Sequence, residues 1–345
     1  MPKRTFRDRD HLLTRDGLYF TVVGNVHPQD RKMSYLKYFP KSSKESKNNL
    51  IRTIKQYDIP NLVESIKIVE RNYPHYLCRL ENYDFKFPSV PIIDIKKHFI
   101  PEEKLSDLLV SSDLDSLSQK VLDLTKRLSK ESGISINDFG ITGSILLGIH
   151  DPNFSDIDIT VYGKENSLKV KETLLRILKN NDALIKKADG EFLLKSEKRF
   201  RFMNKEQLKI FFERKWNRGT FKGTFFSVNP VKTETEITEN YGDKKYSSVS
   251  LIEAEACVID SSENMFIPAN YAIEETHIIK GSKIQDVNEL VSYDRNYADL
   301  AEKGETILFK GKLEKVFDIK NNETSYRAVV GSLDAKGMDY IKIKT

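Results

Sequence analysis

Two aspartates separated by one residue, Asp156-Ile157-Asp158, stand in the run FSDIDITVY, whose Ile, Val and Thr content predicts a β-strand. Successive side chains of a strand point to opposite faces, so both carboxylates share one face while Ile157 and Ile159 turn inward. Such a pair offers only oxygen ligands and leaves room for water and phosphate, which is the coordination that Mg2+, or Mn2+, accepts. Upstream, Gly143-Ser144 follows the short run FGIT and precedes SILLGI. This reads as strand, tight turn and short buried helix, in which Gly143 lets the backbone approach closely and Ser144 opens the helix. Free amides and the helix dipole at that end attract a phosphate. Triphosphate and metal therefore meet on one surface.

The stretch from Phe139 to Tyr162 resembles the signature of the polymerase-beta-like nucleotidyltransferase superfamily, through Gly143-Ser144 and Ser155-Asp156-Ile157-Asp158. The resemblance implies an α+β core of a mixed sheet with helices, an NTP substrate, Mg2+ or Mn2+, and transfer of an NMP with release of pyrophosphate. It also implies that Asp156 and Asp158 are the catalytic, metal-holding residues, with Gly143, Ser144 and Ser155 at the nucleotide. The whole chain is similar to an archaeal family of predicted nucleotidyltransferases, through RDGLYFTVVGNVHPQDRKMSYLKYFP (Arg15 to Pro40) and AEACVIDSSENMFIPANYAI (Ala254 to Ile273).

One element departs from the superfamily pattern. Those enzymes usually carry a third carboxylate on the next strand, in a run like VDVVP, whereas the best local match here is Phe226-Ser227-Val228-Asn229-Pro230. Ser227 falls where the acid is expected, and a serine does not act as a carboxylate base. Glu191, Glu253 and Glu255 are weak substitutes, since their spacing is that of ordinary exposed strand carboxylates. Two readings stay open: a metal-dependent nucleotidyltransferase, and a catalytically inactive relative that binds nucleotide or nucleic acid.

The formal charge of +5 is unevenly spread. From Lys195 to Lys222 there are ten Lys or Arg against three Glu, and Arg199, Arg201, Arg214, Lys215 and Arg218 alternate with Phe200, Phe202, Phe211, Phe212, Trp216 and Phe221. Basic and aromatic residues in that mixture hold phosphates and stack bases, which places Arg199 and Arg201 among the candidate nucleotide-binding residues. LKIFFERKW also has helical apolar spacing, so its aromatics read more readily as core. Residues 1–50 hold eleven basic against five acidic side chains. Both surpluses suit an anionic acceptor, with an RNA end favoured ahead of a protein side chain or a small molecule.

A chain of 345 residues, 39% hydrophobic and 31% charged, has the size of two or three soluble domains. No run approaches the roughly 18 apolar residues of a membrane span, and MPKRTFRDRD has no signal-peptide core, so a cytoplasmic location is expected. The two cysteines, Cys78 and Cys257, imply neither a disulfide framework nor a zinc site, and the six histidines lack ligand spacing. His27, His150 and Asp151 read as turn or loop residues.

Three regions must position the site. Residues 1–100 form an N-terminal basic α/β region, with β-like runs LYFTVVGNV and MSYLKYF and a helix through IPNLVESIKIVERNY. Residues 101–232 form the nucleotidyltransferase core, where LDSLSQKVLDLTKRLSKESG and SLKVKETLLRILKN carry helical periodicity and Gly133 ends the first. Residues 233–345 alternate strands with polar turns, about five in all, as in a small barrel or sandwich.

Overall fold

The computed structural model describes residues 4–41, 50–54, 59–187, 200, 202–284 and 286–344. The described chain is α+β: six α-helices and three sheets, two of them mixed.

The first sheet takes β1 (His11–Thr14), β2 (Tyr19–Val22), β3 (Arg31–Pro40), β4 (Leu50–Arg52), β5 (Leu77–Leu80), β6 (Phe85–Pro91) and β7 (Ile95–Phe99). Its order is β5-β6-β3-β2-β1-β7 with β4 beside β3. Helix α1 (Ile59–Asn72) covers it, burying Val69 with Leu12, Phe20 and Leu36.

The central sheet holds the Asp-x-Asp run. It consists of β8 (Phe139–Ile141), β9 (Ile157–Tyr162), β10 (Ile185–Lys187), β11 (Arg218–Phe221) and β12 (Thr224–Val231), in the order β10-β11-β12-β9-β8. β9 and β12 run parallel, and the other pairs are antiparallel. Helices α2 (Pro101–Val110), α3 (Ser116–Ser132) and α5 (Lys164–Lys179) pack on it, with the one-turn α4 (Gly143–Leu147) between β8 and β9. In α3, Leu117, Val121, Leu124 and Leu128 recur at helical spacing and are all buried. The Asp115 side chain caps its start by accepting from Ser118 N at 2.8 Å, and Gly133 closes it with φ of 71°. Ile157, Ile159 and Val161 of β9 enter the same core fully buried.

The opposite face of β9 carries Asp156, Asp158, Thr160 and Tyr162, and it is covered only toward its end. A Cβ on Gly140 would strike Thr160 and Pro101, so β8 and the start of α2 press together there. Tyr162 donates to Glu102 Oε2 at 2.7 Å. The start of the strand, where both aspartates stand, remains open.

The third sheet takes β13 (Lys244–Glu263), β14 (Ala269–Lys280), β15 (Val287–Ser292), β16 (Thr306–Asp318), β17 (Glu323–Val330) and β18 (Tyr340–Ile343). β13 pairs with both β14 and β16, so the hydrogen-bonded path passes through β15 and β17 and returns to β13. The described sheet has six strands where about five were expected, and NELVS of β15 gives a weak strand pattern because it is short and charged at its start. Helix α6 (Lys205–Glu213), introduced by an Asn204–Gln207 capping box, docks on this sheet rather than the central one. Among the described residues no helix is long and apolar enough to cross a membrane.

Candidate active site

The parallel register of β9 and β12 sets Asp158 beside Ser227. Ser227 Oγ donates to Asp158 Oδ1 at 2.5 Å, so the position expected to hold a third acid instead orients the second one. Asn229, two residues on and facing the same way, donates to Ser227 Oγ at 3.0 Å and to the Ile159 carbonyl at 3.0 Å. On the other side, Thr142 N donates to the Asp158 carbonyl at 2.9 Å. Gly143 follows with φ of 73°, and a Cβ there would collide with Asp158 Oδ2. Glycine is thus demanded twice at this position, by the backbone angle and by the carboxylate. Ser144 is the second residue of α4 and is half exposed.

Asp156 stands just before β9, open to solvent at the cavity mouth. Desolvation and the nearby Asp158 push its carboxyl up to about 6, against an opposing pull from Arg52. Two carboxylates that resist joint ionisation want a cation. The pair, with room beside it for phosphate and water, fits Mg2+ or Mn2+; among the described residues no group of three His, Cys, Asp or Glu side chains converges as a metal site.

These residues open on a cavity of about 720 Å3 where the three sheets meet. Its wall includes Ser144, Asp151, Ser155, Asp156, Asp158 and Ser227 from the central sheet and its loops. Ser155 Oγ accepts from Asp151 N at 3.0 Å, so its hydroxyl shapes the turn before the strand. Arg199, Arg201 and Glu191 lie outside the described residues. Glu253 and Glu255 do not belong to the site, because β13 turns them elsewhere. Glu253 meets Lys280 and the Tyr340 hydroxyl at 2.9 and 2.8 Å, and Glu255 meets Lys344 at 2.5 Å. His150 binds Asp115 at 2.7 Å, and His27 is held against the Phe6 carbonyl at 3.2 Å.

Much of the described part of the basic segment is paired with residues of the fold, whereas Arg218 lines the cavity. Arg214 is bidentate to Glu305 at 2.6 Å, Lys215 donates to the Ala298 carbonyl at 2.7 Å and Lys222 pairs with Asp123 at 2.6 Å. Phe200 and Phe211 are core of the third sheet, and Trp216 is core of the central one. Those aromatics are not a stacking surface.

Sequence reasoning named Arg218 but passed over other cations that reach the cavity. In the Arg7-Asp8-Arg9-Asp10 run, Arg7 binds Glu102 at 2.8 Å and also Glu234, while Asp8 accepts from Arg295 at 2.7 Å. Arg9, with φ of 77°, enters the cavity, and its carbonyl is held by Thr142 Oγ1 at 2.8 Å. Its Nη2 donates to Asn229 Oδ1 at 2.5 Å, while Nε is buried without a partner. Burial and then Arg295 press its pKa down, while Asp8, Tyr35 and Asp158 oppose this. A guanidinium does not lose its proton under such pressure; it leaves the cavity electropositive. The alternating charges at Arg7 to Asp10 were the available signal.

Parallel β9 and β12, a one-turn helix after β8 and an Asp pair facing its glycine define a nucleotidyltransferase core. A family model described as "Nucleotidyltransferase domain" matches residues 120–216, which takes in Gly143, Ser144, Asp156 and Asp158 and ends before Ser227. The chain is also 32% identical over 345 residues to "Uncharacterized protein MJ1086" of Methanocaldococcus jannaschii, covering 98% of this chain and 99% of that protein. It belongs to the family of that archaeal protein, as a member with a nucleotidyltransferase domain of the polymerase-beta type. No solved structure matches the chain.

Proposed function

We propose that the protein transfers an NMP from an NTP to an acceptor hydroxyl with Mg2+ or Mn2+ held by Asp156 and Asp158. The observation that carries this reading is the seat of Gly143 against Asp158, which brings the amides of the Gly-Ser turn beside the carboxylate pair. A divalent cation there neutralises phosphate charge and makes the acceptor hydroxyl more acidic. Gly143 and Ser144 hold the β- and γ-phosphates, and Ser155 shapes the loop at the nucleotide. Arg9 adds a fixed positive charge from the segment before β1, and Arg295, paired with Asp8, lines the same cavity. The acceptor oxygen bonds to the α-phosphorus, the bond from that phosphorus to the bridging oxygen breaks, and pyrophosphate departs. Ser227 is a hydrogen-bond donor to Asp158 and takes no proton, so proton removal falls to water or phosphate oxygen. Positioning and charge supply most of the acceleration in such transfers.

Ser227 also favours a second reading, an inactive relative that binds nucleotide. Incubation with each α-labelled NTP, Mn2+, total RNA and a small-molecule extract separates the two. Transfer of label that Asp158→Asn abolishes supports the enzyme; Mg-ATP binding without any transfer supports the binder. Asp158→Asn binding Mg-ATP as tightly as the unaltered protein removes both. An RNA end as acceptor rests on the basic surpluses, and label in RNA is its test.

A further inference from the structure

The face of β9 that carries Asp156 and Asp158 is covered at one end and open at the other. Beyond Asp158, Thr160 and Pro101 crowd Gly140, and Tyr162 is held by Glu102. Phosphates seated at Gly143 and Asp158 therefore leave the rest of a nucleotide one direction along the strand, toward Asp156 and the cavity mouth. At about 3.3 Å per residue, a nucleoside laid that way passes Asp156 about 7 Å from Asp158 and reaches the loop ahead of the strand.

That loop carries an aromatic ring. Phe154 is 86% exposed, yet a closed turn fixes its place in the chain. Asp151 Oδ1 accepts from Asn153 N at 2.9 Å, and the Asp151 carbonyl accepts from Phe154 N at 3.1 Å and from Ser155 N at 2.9 Å. A lone exposed aromatic needs no explanation. Phe154 is not alone, because it lines the same cavity as Phe225 of β12. Phe226 pairs with Ile157 in the parallel register, so continuing that register sets Phe225 beside Asp156. Phe226 and Val228 enter the core, which turns Phe225 to the face of Ser227 and Asn229. Two rings thus flank the first aspartate, one from the loop and one from the neighbouring strand. Neither metal binding nor phosphoryl transfer uses them.

A fixed ring in water beside a phosphate site is a stacking platform. Every nucleobase has a π-face, and laying it on the ring removes apolar surface of both from water. Resting on the nucleotidyltransferase reading, we infer that the base of the NTP stacks on Phe154 at the cavity mouth, with Phe225 bounding the site on the β12 side. The platform meets the face of the base and not its edge, so all four NTPs use it.

Phe154→Ala tests this, with Mg-tripolyphosphate as the probe that has the phosphates and no nucleoside. Since the ring is exposed, the melting temperature should not move. Affinity for each of the four Mg-NTPs should fall at least fivefold, while affinity for Mg-tripolyphosphate stays the same, and Phe154→Trp should bind Mg-ATP as well as the unaltered protein does. In the Trp variant, Mg-ATP should shield residue 154 from acrylamide quenching and Mg-tripolyphosphate should not; Trp216, only 3% exposed, contributes a steady background. Unchanged Mg-ATP affinity in Phe154→Ala, equal losses for Mg-ATP and Mg-tripolyphosphate, or quenching indifferent to Mg-ATP each overturns the inference. An Ala variant that keeps Mg-ATP affinity but loses affinity for a single-stranded oligonucleotide also overturns it, because the ring then serves the acceptor. Failure of the parent reading shows separately, as Mg-tripolyphosphate affinity indifferent to Asp158→Asn.

Discussion

Ser227 Oγ donates to Asp158 Oδ1 at 2.5 Å across the parallel β9–β12 pair of the central sheet. The strand position that would supply a third acid thus supplies a hydrogen bond to the second. The two chemistries differ in what a bound cation must do. With three carboxylates the protein offsets most of the metal's charge; with two, more of it is left for the triphosphate.

Ser227→Asp should expose that balance. A new carboxylate against Asp158 and near Asp156 raises repulsion in the metal-free protein, so the melting temperature should fall. Mn2+ should then restore it by more than it stabilises the unaltered chain, since metal bound only to the folded state adds stability with its affinity. Melting scans with and without Mn2+ decide it, and an equal Mn2+ response in both proteins would count against the site.

Gly143→Ala tests the close approach of turn and strand. The substitution meets a backbone at φ of 73° and the Asp158 carboxylate at once. We expect a loss of about 1–3 kcal/mol in denaturant unfolding, with Mg-ATP affinity reduced at least tenfold. Gly148→Ala makes the control, since it shares a positive φ but has no atom within 4 Å of the added Cβ. If the two variants bind Mg-ATP alike, the turn does not serve the nucleotide.

How much of this was legible beforehand depended on where each signal lies along the chain. Asp156, Asp158, Gly143 and Ser144 are close in sequence, and strand alternation with glycine stereochemistry was enough to bring them together. Ser227 was legible because its run matched a known strand pattern. Arg9 and Arg295 were not, since their approach depends on three sheets packing around residues 4–10. No periodicity records such packing. The roles of Arg214, Lys215 and Lys222 were not legible for a related reason: Glu305, the Ala298 carbonyl and Asp123, which bind them, lie far from them in sequence.

Asp156 should impose a pH dependence. Its carboxyl is raised to about 6 in the fold from an ordinary 3.8, so between those values the folded metal-free protein holds a proton that the unfolded chain has released. Its contribution to stability is therefore complete below about 4 and is lost as pH rises through 6. Metal needs the ionised form, so Mn2+ affinity should rise with pH up to about 6 and then level off. Asp156→Asn should flatten both profiles. Isothermal titration of Mn2+ at a series of pH values measures the affinity, and an unchanged slope in the Asn variant would remove Asp156 from the metal site.

Arg9 offers the sharpest test of a site assembled by all three sheets. Its guanidinium meets Asn229 on β12 and has no carboxylate partner among the described residues, while Asp8 beside it holds Arg295 of the third sheet. If Arg9 neutralises the triphosphate, Arg9→Met should leave the fold intact, because a buried charge is removed and replaced by a side chain of similar reach. Affinity for Mg-ATP should drop at least tenfold and Mg-AMP much less, since AMP lacks the β- and γ-phosphates. The salt dependence of Mg-ATP binding should flatten as well. Equal losses for ATP and AMP on Arg9→Met would mean that Arg9 supports the β9–β12 framework and not the phosphates.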